Sequence, residues 1–592
     1  MLFNGTKLKS SKWSVRLKDG QVRDQDGFVL ERNWSGSGCD FKLIHKGAQA
    51  FEIKEILLFQ GKHELDVHTP VYGEGYSMLS QYGGTIGEIK SLTLRCDFDH
   101  YKIPRTKSFQ TLFNLALISP DGPEAVLAAF ASCIRFNGEI RFNETEFEIA
   151  LVTDGIQMMP GDVWELEHFV IYEGDCQSEL LEQLGKTISR FHPQLPVPET
   201  PSGWCSWYSY GPEVTEEDIL VNMTEIANHY PELTYIQIDD GFQAYMGDWL
   251  IAKPGFKDMK ELCQTIKDKG LKPAIWVAPF IAEKSSVLFR EHPDWFIQDE
   301  QGNPLSSGVH SFGGWRCGPW YMLDGTHPEA QQYLTTVFRT MREEWNCTYF
   351  KLDANMWGAL HGGVYYRPNS TRVEAYREGM KAVIKGAGID SFILGCNAPM
   401  WPSLGVVHGM RITDDTYRKW EAFTRVAREC FWRNWQHNTL WVNDPDCLLT
   451  HNWKINPLGP DGKRYITDSA LTDDEFLFHA THIFCSGGML LSGDVLTEMT
   501  EVAKTRLRKI IKPTDVPAVF DSTEFTIGRM TFDDRQMIAV FNWEDDPVVR
   551  EVELHGSYEV YDFWNNEYMG SKSGFMQVEL NPRSAKLYEL KS

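Results

Sequence analysis

Two short apolar runs in the sequence end in carboxylates that stand close to fixed cations. The first run contains Lys351 and ends two positions later in Asp353, and the second contains Arg411 and ends in Asp414 and Asp415. A hydrolase that works with two carboxylic acids needs one ionised group to attack and one protonated group to donate. A Lys two residues before an Asp lies on the same strand face and favours the ionised carboxylate. The spacing predicts that Asp353 is the charged member, although a purely structural ion pair remains an alternative.

Other apolar runs also end in residues that could contact a ligand. Asp239 and Asp240 follow one such run, and because a buried charge without partners costs several kcal/mol, the hydroxyls of a bound sugar are suitable donors for them. A pair that only starts a loop or caps a helix is the alternative. Trp276, near the end of another run, could form a wall of the site or only pack in the core. A lone Cys such as Cys396 is typical of a core position.

The elements that must position these residues are parallel strands. Between residues 202 and 511, short apolar runs alternate with longer helix-like stretches, a pattern typical of βα units. The number of strand candidates matches a (β/α)8 TIM barrel, whose chemistry lies at the carboxyl ends of its strands. The candidates are Gly203–Tyr210, Tyr235–Asp240, Lys272–Pro279, Tyr349–Asp353, Phe392–Cys396, Gly409–Asp414, Leu440–Asp444 and Gly488–Asp494.

The remaining sequence predicts β-structure on both sides of this barrel. Residues 1–192 show alternating runs such as 51–56, 91–96 and 146–151 with turns between them, which indicates an N-terminal β-sandwich. A helical stretch near 178–190 leads into a Pro-rich linker. Residues 512–592 again show short strands, so we expect a C-terminal antiparallel β domain. The predicted domains are therefore 1–192, 202–511 and 512–592.

Composition limits the function classes. The chain has 592 residues and a net charge of −24, and an acidic surface argues against nucleic acid or an anionic membrane as the main partner. No run approaches the roughly 18 apolar residues of a membrane span. The 12 Cys are scattered without a CxxC pair, and the first residues lack an apolar signal region. These features predict a cytoplasmic protein with free thiols.

The motifs taken together resemble glycoside hydrolase family 36, which is made up chiefly of α-galactosidases (melibiases) and belongs to the same clan as family 27. The resemblance extends over the whole barrel, and the three-part architecture extends it to the full chain. The stretches that carry it are 238–242, 247–249, Trp276 in its strand, 349–353, 395–399 and 409–416.

The resemblance implies a retaining mechanism with Asp353 as nucleophile and Asp415 as acid/base. It also implies that Asp239 and Asp240 hold sugar hydroxyls. Lys351, Trp276, Cys396 and Arg411 would line the same subsite. The substrate would be an α-linked oligosaccharide, with no metal and no organic cofactor. For this mechanism we expect Lys351 to keep Asp353 ionised and the pKa of Asp415 to be raised.

The sequence departs from the family pattern at one visible place. Short family members place a Trp from the N-terminal sandwich over the active site, and the nearest match here offers Tyr76. Tyr76 is therefore predicted to shape the leaving-group side. Asp414, directly before the acid/base candidate, has no assigned role.

Several other functions remain open from the sequence. The same residues could serve an α-N-acetylgalactosaminidase, or a raffinose-synthase-like enzyme that transfers the galactosyl group. An Asp-rich barrel mouth could instead bind Mg²⁺ for isomerase or lyase chemistry, and a sugar-binding protein is the non-enzymatic alternative. The oligomeric state, monomer or homo-oligomer, is open.

Overall fold

The computed structural model describes residues 3–24, 27–197, 199–452, 455–458, 464–466 and 470–591. In these residues, a near-closed barrel of eight parallel strands follows two antiparallel sheets and precedes a third large antiparallel sheet. The predicted fold class, an N-terminal β-sandwich, a (β/α)8 barrel and a C-terminal antiparallel β domain, is confirmed.

The part of the chain before the barrel is built almost entirely of strands. Its helices are α1 (Gly5–Lys9), α2 (Asp97–His100) and α3 (Gln177–Phe191). Its strands are β1 (Lys12–Leu17), β2 (Val22–Arg23), β3 (Phe28–Ser35), β4 (Gly38–His45), β5 (Phe51–Lys62), β6 (Pro70–Glu74), β7 (Gln81–Thr85), β8 (Glu88–Ser91), β9 (Gln110–Phe113), β10 (Leu115–Ile118), β11 (Ala125–Phe130), β12 (Asn137–Phe142), β13 (Glu146–Val152), β14 (Gln157–Met158), β15 (Val163–Glu165) and β16 (Phe169–Gly174).

These strands form two sheets. One has the order β2-β1-β5-β13-β12-β9, with β14 also paired to β5. The other has the order β15-β4-β16-β11-β10-β6-β7-β8, with β3 paired to β4. Alternate apolar residues of strands in both sheets belong to one buried core, as the period of two in β5 and β13 predicts.

The predicted strand over 91–96 is wrong. Strand β8 ends at Ser91, the next residues bend, and helix α2 begins at Asp97. The apolar residues of the run are not on a buried face, since Leu92 is 41% and Leu94 is 68% exposed. The bend is instead fixed by polar contacts, because the Ser80 and Thr93 hydroxyls both donate to the carbonyl of Arg95.

The eight predicted barrel strands are all present, and two additional short antiparallel pairs lie in the loops. Parallel pairing gives the order β25-β24-β23-β22-β19-β18-β17-β28. A backbone hydrogen bond of 2.9 Å from Met489 N to Asn443 O helps to connect the two ends of this order. The strands of this region are β17 (Ser202–Cys205), β18 (Tyr235–Ile238), β19 (Lys272–Val277), β20 (Ile281–Ala282), β21 (Tyr321–Met322), β22 (Tyr349–Leu352), β23 (Phe392–Gly395), β24 (Gly409–Arg411), β25 (Val442–Asp444), β26 (Ile455–Leu458), β27 (Arg464–Ile466) and β28 (Leu490–Ser492).

The first barrel strand is shorter than its predicted range. It stops at Cys205, and residues 207–210 turn into a short helix in which Tyr210 N donates to Ser206 O. Aromatic residues suit both a strand and a buried helical turn, so the apolar run alone could not separate the two.

The helices that surround the barrel follow their strands. Several begin with a capping box in which a Thr hydroxyl and an acidic side chain three residues later satisfy each other's backbone N–H groups: Thr215 with Asp218, Thr371 with Glu374 and Thr472 with Glu475. The helices are α4 (Trp207–Tyr210), α5 (Glu216–His229), α6 (Met259–Asp268), α7 (Val287–Glu291), α8 (Pro328–Glu343), α9 (Arg372–Ala387), α10 (Trp420–Arg433), α11 (Asp473–Ser486) and α12 (Glu501–Ile510). None of the helices in the described ranges has the length and apolar composition that a bilayer crossing requires.

The last sheet packs beside the barrel through α11, which contacts its strand β34. The order of this sheet is β29-β30-β31-β34-β32-β33. Its strands are β29 (Val519–Phe520), β30 (Ile527–Thr531), β31 (Gln536–Asn542), β32 (Val548–Asp562), β33 (Glu567–Leu580) and β34 (Ser584–Lys591).

A buried ion pair ties the N-terminal sheets to the barrel mouth. Arg433, at the end of α10, contacts Glu74 at 2.7 Å, and both side chains are fully buried. The same guanidinium donates to the carbonyls of Met78, Ser80 and Ile412, the last lying just after β24. One side chain thus fixes the connection between β6 and β7 against the end of a barrel strand, and this places residues 78 and 79 at the mouth.

Candidate active site

A single cavity at the carboxyl ends of the barrel strands collects the residues that the sequence singled out. Seven of the eight predicted site residues line it, and Arg411 lies against Asp415 from within the barrel. The lining residues are Met78, Leu79, Arg95, Trp207, Asp239, Asp240, Trp276, Trp315, Lys351, Asp353, Cys396, Asn397, Asp414, Asp415 and Tyr417. Parallel strands bring these separated positions together because their carboxyl ends meet at one edge.

Asp353 follows β22 and is held by neutral donors. Its Oδ2 accepts a hydrogen bond of 3.1 Å from Trp276 Nε1, and its Oδ1 accepts one of 2.7 Å from Ala354 N. Burial raises the pKa of the Asp353 carboxyl, and the positive charge of Lys351 only partly opposes this. Trp276 is 1% exposed and packs edge-on against Trp249 and Trp315, so it is both a wall of the cavity and a core residue.

The positive charge of Lys351 lowers the pKa of Asp353 as expected, but burial outweighs this effect and Lys351 forms its ion pair with another acid. Lys351 Nζ lies 2.9 Å from Asp239 Oδ2, at the end of β18, and both side chains are buried. Burial alone would lower the pKa of Lys351, but the Asp239 carboxylate beside it raises that pKa well above its ordinary value. Gln237 donates to the same Asp239 oxygen at 2.6 Å. Side chains two positions apart in a strand share one face, which is why Lys351 was expected to act on Asp353. In the closed barrel, Lys351 instead contacts Asp239, which follows a different strand.

Asp240 points away from Asp239 and has its own cation. Arg316 Nε donates to Asp240 Oδ2 at 2.9 Å, and the other end of the guanidinium contacts Oδ1. Trp315 Nε1 and Gln243 Nε2 donate at 3.3 and 2.7 Å. The sequence analysis missed Trp315 and Arg316, which lie in a long loop between α7 and α8 with no regular pattern to mark them.

Asp415 is partly open to solvent at the cavity. Its side chain is 34% exposed and Oδ1 accepts a hydrogen bond of 2.9 Å from Arg411. Burial raises the pKa of Asp415, but the positive charges of Arg411, Lys351 and Arg95 outweigh it, so the pKa is lowered. The expectation that this pKa is raised in the free protein is therefore wrong, because the Arg that marks the motif is in direct contact with the acid.

Arg411 is shared between two acids. It contacts Asp446 at 2.6 Å in addition to Asp415, and it donates to Tyr208 Oη at 3.3 Å. Burial and the nearby negative charges raise the pKa of Asp446 to about 7, although Arg411 opposes the shift. Asp446 was missed, but it follows the seventh predicted strand by two residues, so a search for strand-end carboxylates could have found it.

Asp414 also faces the cavity and is almost completely covered, with 2% of its side chain exposed. Its Oδ2 makes no hydrogen bond among the described residues, and the nearest cations are Arg95 at 3.5 Å and Arg425 at 3.8 Å. Burial and the charge of Asp415 raise the pKa of Asp414. Two adjacent acids thus have opposite pKa shifts, since Arg411 contacts the carboxylate of Asp415 but only the backbone carbonyl of Asp414.

Cys396 directly follows β23, and its Sγ lies 4.0 Å from Arg411. Burial raises the pKa of this thiol well above its ordinary value. Cys396 lines the cavity, and the group that it presents there is a neutral thiol.

Tyr76 does not reach the cavity. Its ring is completely buried, its hydroxyl donates to Ala359 O at 3.1 Å, and the guanidinium of Arg372 stacks 4.6 Å from its ring. The prediction that Tyr76 shapes the leaving-group side is wrong. Residues 78 and 79 from the same connection, together with Arg95, line the cavity instead.

Part of the chain that forms this site matches a known protein family. Residues 234–383, which span β19, β22 and most of α9, match the family model Melibiase. The chain carries a melibiase domain. This finding confirms the resemblance at the level of the clan that families 27 and 36 share.

Solved structures share the fold around the melibiase domain. The family 36 α-galactosidase AgaA of Geobacillus stearothermophilus superposes with a TM-score of 0.65 over 98% of this chain and 89% of that chain, at 14% identity. The α-galactosidase TtGalA of Thermus thermophilus, in complex with p-nitrophenyl α-D-galactopyranoside, gives 0.61 over 85% of this chain and 98% of that chain, at 19% identity. At these low sequence identities, the superpositions establish a shared fold.

A curated relative is the A type blood α-D-galactosamine galactosaminidase of Flavonifractor plautii, which is 22% identical over 351 residues. That alignment covers 54% of this chain and 32% of the relative. The myogenesis-regulating glycosidase of Mus musculus is 28% identical over 152 residues, which is 26% of this chain and 20% of the relative. The alignments thus span about a third or less of these relatives.

Proposed function

We propose that the protein is a glycoside hydrolase, a retaining exo-α-galactosidase of the family 36 type that removes terminal α-galactose from oligosaccharides. The observation that carries the proposal is that Asp353, which lies within the residues that match the Melibiase model, lines one cavity together with Asp415. The buried pairs of Asp239 with Lys351 and of Asp240 with Arg316 support a fixed polar floor that would bind the sugar hydroxyls. The α-galactosidases among the matched structures favour galactose.

In the proposed first step, Asp353 attacks the anomeric carbon while Asp415 gives its proton to the departing oxygen. A covalent galactosyl-enzyme forms, and Asp415 then takes a proton from the water that releases galactose with retention of configuration. Trp276 and Ala354, which donate to Asp353, would hold its two oxygens in place for the attack.

The pKa shifts of Asp353 and Asp415 in the free protein are opposite in direction. Burial raises the pKa of Asp353, whereas Arg411 holds the pKa of Asp415 down, which is the reverse of what the first step needs. The negative charge of Asp415 also raises the pKa of Asp353, so the ionisation of one carboxyl affects that of the other. Positive charge at the anomeric carbon stabilises ionised Asp353, and the proton then belongs on Asp415.

The deciding experiment is a screen of p-nitrophenyl α-glycosides followed by trapping of the covalent intermediate. We expect release of p-nitrophenol from the galactoside, and we expect a 2-deoxy-2-fluoro galactosyl fluoride to label Asp353, as read by peptide mass spectrometry. Absence of release from every α-glycoside, or labelling of a different residue, would overturn the proposal. A sugar-binding protein would bind galactose without forming the label.

A 2-amino or 2-acetamido sugar is the second candidate substrate. The Flavonifractor relative is named for galactosamine, and Asp414 Oδ2 lies at the cavity without a hydrogen bond among the described residues. The screen should therefore include the p-nitrophenyl α-glycosides of galactosamine and N-acetylgalactosamine. A higher kcat/KM for either of these than for the galactoside would replace galactose as the preferred sugar.

The sequence also predicted the domain bounds, the location of the protein and a reaction without a metal or cofactor. We propose that the domains are 1–192, 202–511 and 512–592, that the protein is cytoplasmic, and that no metal or cofactor takes part. Activity that survives EDTA would agree with a metal-free reaction. The described residues contain no cluster of three or more His, Cys, Asp or Glu side chains arranged as a metal site.

A further inference from the structure

The charged residues of the cavity divide into a covered floor and an open rim. Lys351, Asp239 and Asp240 are buried and paired. Asp415 and Arg95 are open to solvent, with 34% and 31% of their side chains exposed. If the terminal sugar occupies the floor and Asp415 protonates the departing oxygen, the leaving group must lie at the rim, beside Arg95.

Arg95 has hydrogen-bonding capacity that no residue of the described chain uses. Its guanidinium makes one ionic contact, at 3.5 Å from Nε to Asp414 Oδ2, which is too long for a strong hydrogen bond. Its main chain is fixed, because the hydroxyls of Ser80 and Thr93 both donate to its carbonyl. The residue therefore presents N–H donors to the cavity from a rigid support.

Tyr417 lies at the same rim and is 40% exposed. It follows Asp415 by two residues, and its neighbour Thr416 is held by a hydrogen bond of 2.7 Å from its N–H to Asp446 Oδ2. An exposed aromatic ring beside a cation is a surface on which a sugar ring can stack while its oxygens accept hydrogen bonds.

We propose that Arg95 and Tyr417 form the subsite for the leaving group, and that this subsite accepts a neutral sugar whose hydroxyl oxygens bind the Arg95 guanidinium. The inference rests on the proposed function and adds the part of the substrate beyond the scissile bond. It assigns a residue of the bend between β8 and α2 to substrate selection at the mouth of the barrel. In the second half of the reaction the same subsite would hold an acceptor sugar in competition with water.

The test is the partition of the galactosyl-enzyme between a sugar acceptor and water. With p-nitrophenyl α-galactoside as donor, an acceptor hydroxyl attacks the anomeric carbon, the bond to Asp353 breaks, and the acceptor proton goes to Asp415. Water reacts through the same base, so a changed acidity of Asp415 largely cancels in the ratio of transfer product to free galactose. For Arg95→Met we expect the ratio with D-glucose to fall roughly tenfold or more, with partial recovery in Arg95→Lys.

Two controls isolate the subsite. Methanol is too small to reach the rim, so its partition ratio should be the same in wild type and Arg95→Met. Arg425→Met removes a charge that lies 3.8 Å from Asp414 and a donor to the carbonyl of Asp415, but Arg425 does not line the cavity. Because both routes of the partition use Asp415, this variant should leave the glucose ratio unchanged. Circular dichroism and the thermal midpoint would show that each variant is folded.

The possible results of these experiments distinguish failure of the subsite proposal from failure of the proposed function. An unchanged glucose ratio in Arg95→Met, an equal fall for methanol, or a wild type that transfers to glucose no better than to methanol would overturn the subsite while leaving galactoside hydrolysis in place. Absence of p-nitrophenol release from the wild type would overturn the proposed function, and the subsite with it.

Discussion

At the scale of single residues, Asp353 is held by an indole N–H and a backbone N–H rather than by a cation. Burial raises the pKa of this carboxyl, and the positive charge that develops at the anomeric carbon favours its ionised form. Two predictions test the two carboxylates separately.

We expect Asp353→Gly to lose at least about 10³-fold in kcat with p-nitrophenyl α-galactoside, since the covalent step is removed. Azide should enter the vacated space and restore part of the activity as a β-galactosyl azide product, which thin-layer chromatography and mass spectrometry would detect. Turnover at the wild-type rate without azide would contradict the assignment of Asp353.

Replacing Asp415 by Ala should separate substrates by leaving group. An oligosaccharide needs a proton on the departing oxygen and should lose roughly 10²–10⁴-fold in kcat/KM, whereas p-nitrophenolate leaves without help and should lose much less. The measurement is kcat/KM for both substrates in the variant and the wild type. Equal losses would count against an acid role for Asp415.

At the scale of elements, the buried pair of Arg433 and Glu74 determines which residues of the N-terminal sheets reach the barrel mouth. The guanidinium also donates to the carbonyls of Met78 and Ser80. Helix α10 is therefore connected to the loop between β6 and β7 by charge and by hydrogen bonds, and the cavity wall depends on this connection.

Arg433→Met leaves Glu74 buried without its cation, and we expect the free energy of unfolding to fall by about 3–5 kcal/mol. The double variant Glu74→Leu with Arg433→Met removes both charges and should recover part of this loss, although the three freed carbonyls limit the recovery. Chemical denaturation of the wild type and both variants measures the effect. A single variant as stable as the wild type would show that the pair does not stabilise the interface.

At the scale of the whole molecule, buried acids make stability depend on pH. Burial and the nearby charge of Asp414 raise the pKa of Glu429 from 4.5 to about 7. The native state then binds a proton that the unfolded state has released between these values, so stability is fully present below about pH 4.5 and falls as pH rises through 7. Asp446, whose pKa is also raised to about 7, acts in the same direction.

Glu429→Gln removes one titrating group while keeping an acceptor for the N–H of Asp414, which donates to Glu429 at 2.6 Å in the wild type. Between pH 5 and pH 8 the wild type should lose more stability than the variant, by up to about 3 kcal/mol. Thermal midpoints of both proteins at the two pH values test this. Identical pH dependence would mean that Glu429 is ionised in the native state throughout.

The amino-acid sequence alone predicted the fold class and the position of the candidate site, because both depend on local patterns. Apolar runs that end in acids mark parallel strands whose ends meet, and this pattern identified Asp353 and the pair of Asp414 and Asp415. The choice of Asp415 within that pair came from the family resemblance. Period-two runs such as β5 and β13 likewise marked sheets.

Which charges pair and which residues complete the cavity depend on the tertiary structure. Lys351 contacts Asp239 rather than Asp353 because barrel closure brings another strand end closer to its ammonium group. Arg95 lines the cavity and Arg316 contacts Asp240, both from irregular loops, and Tyr76 is turned away by its hydrogen bond to Ala359. Such contacts join residues far apart in the chain, and electrostatic energies depend on distance and burial in space rather than on spacing in sequence.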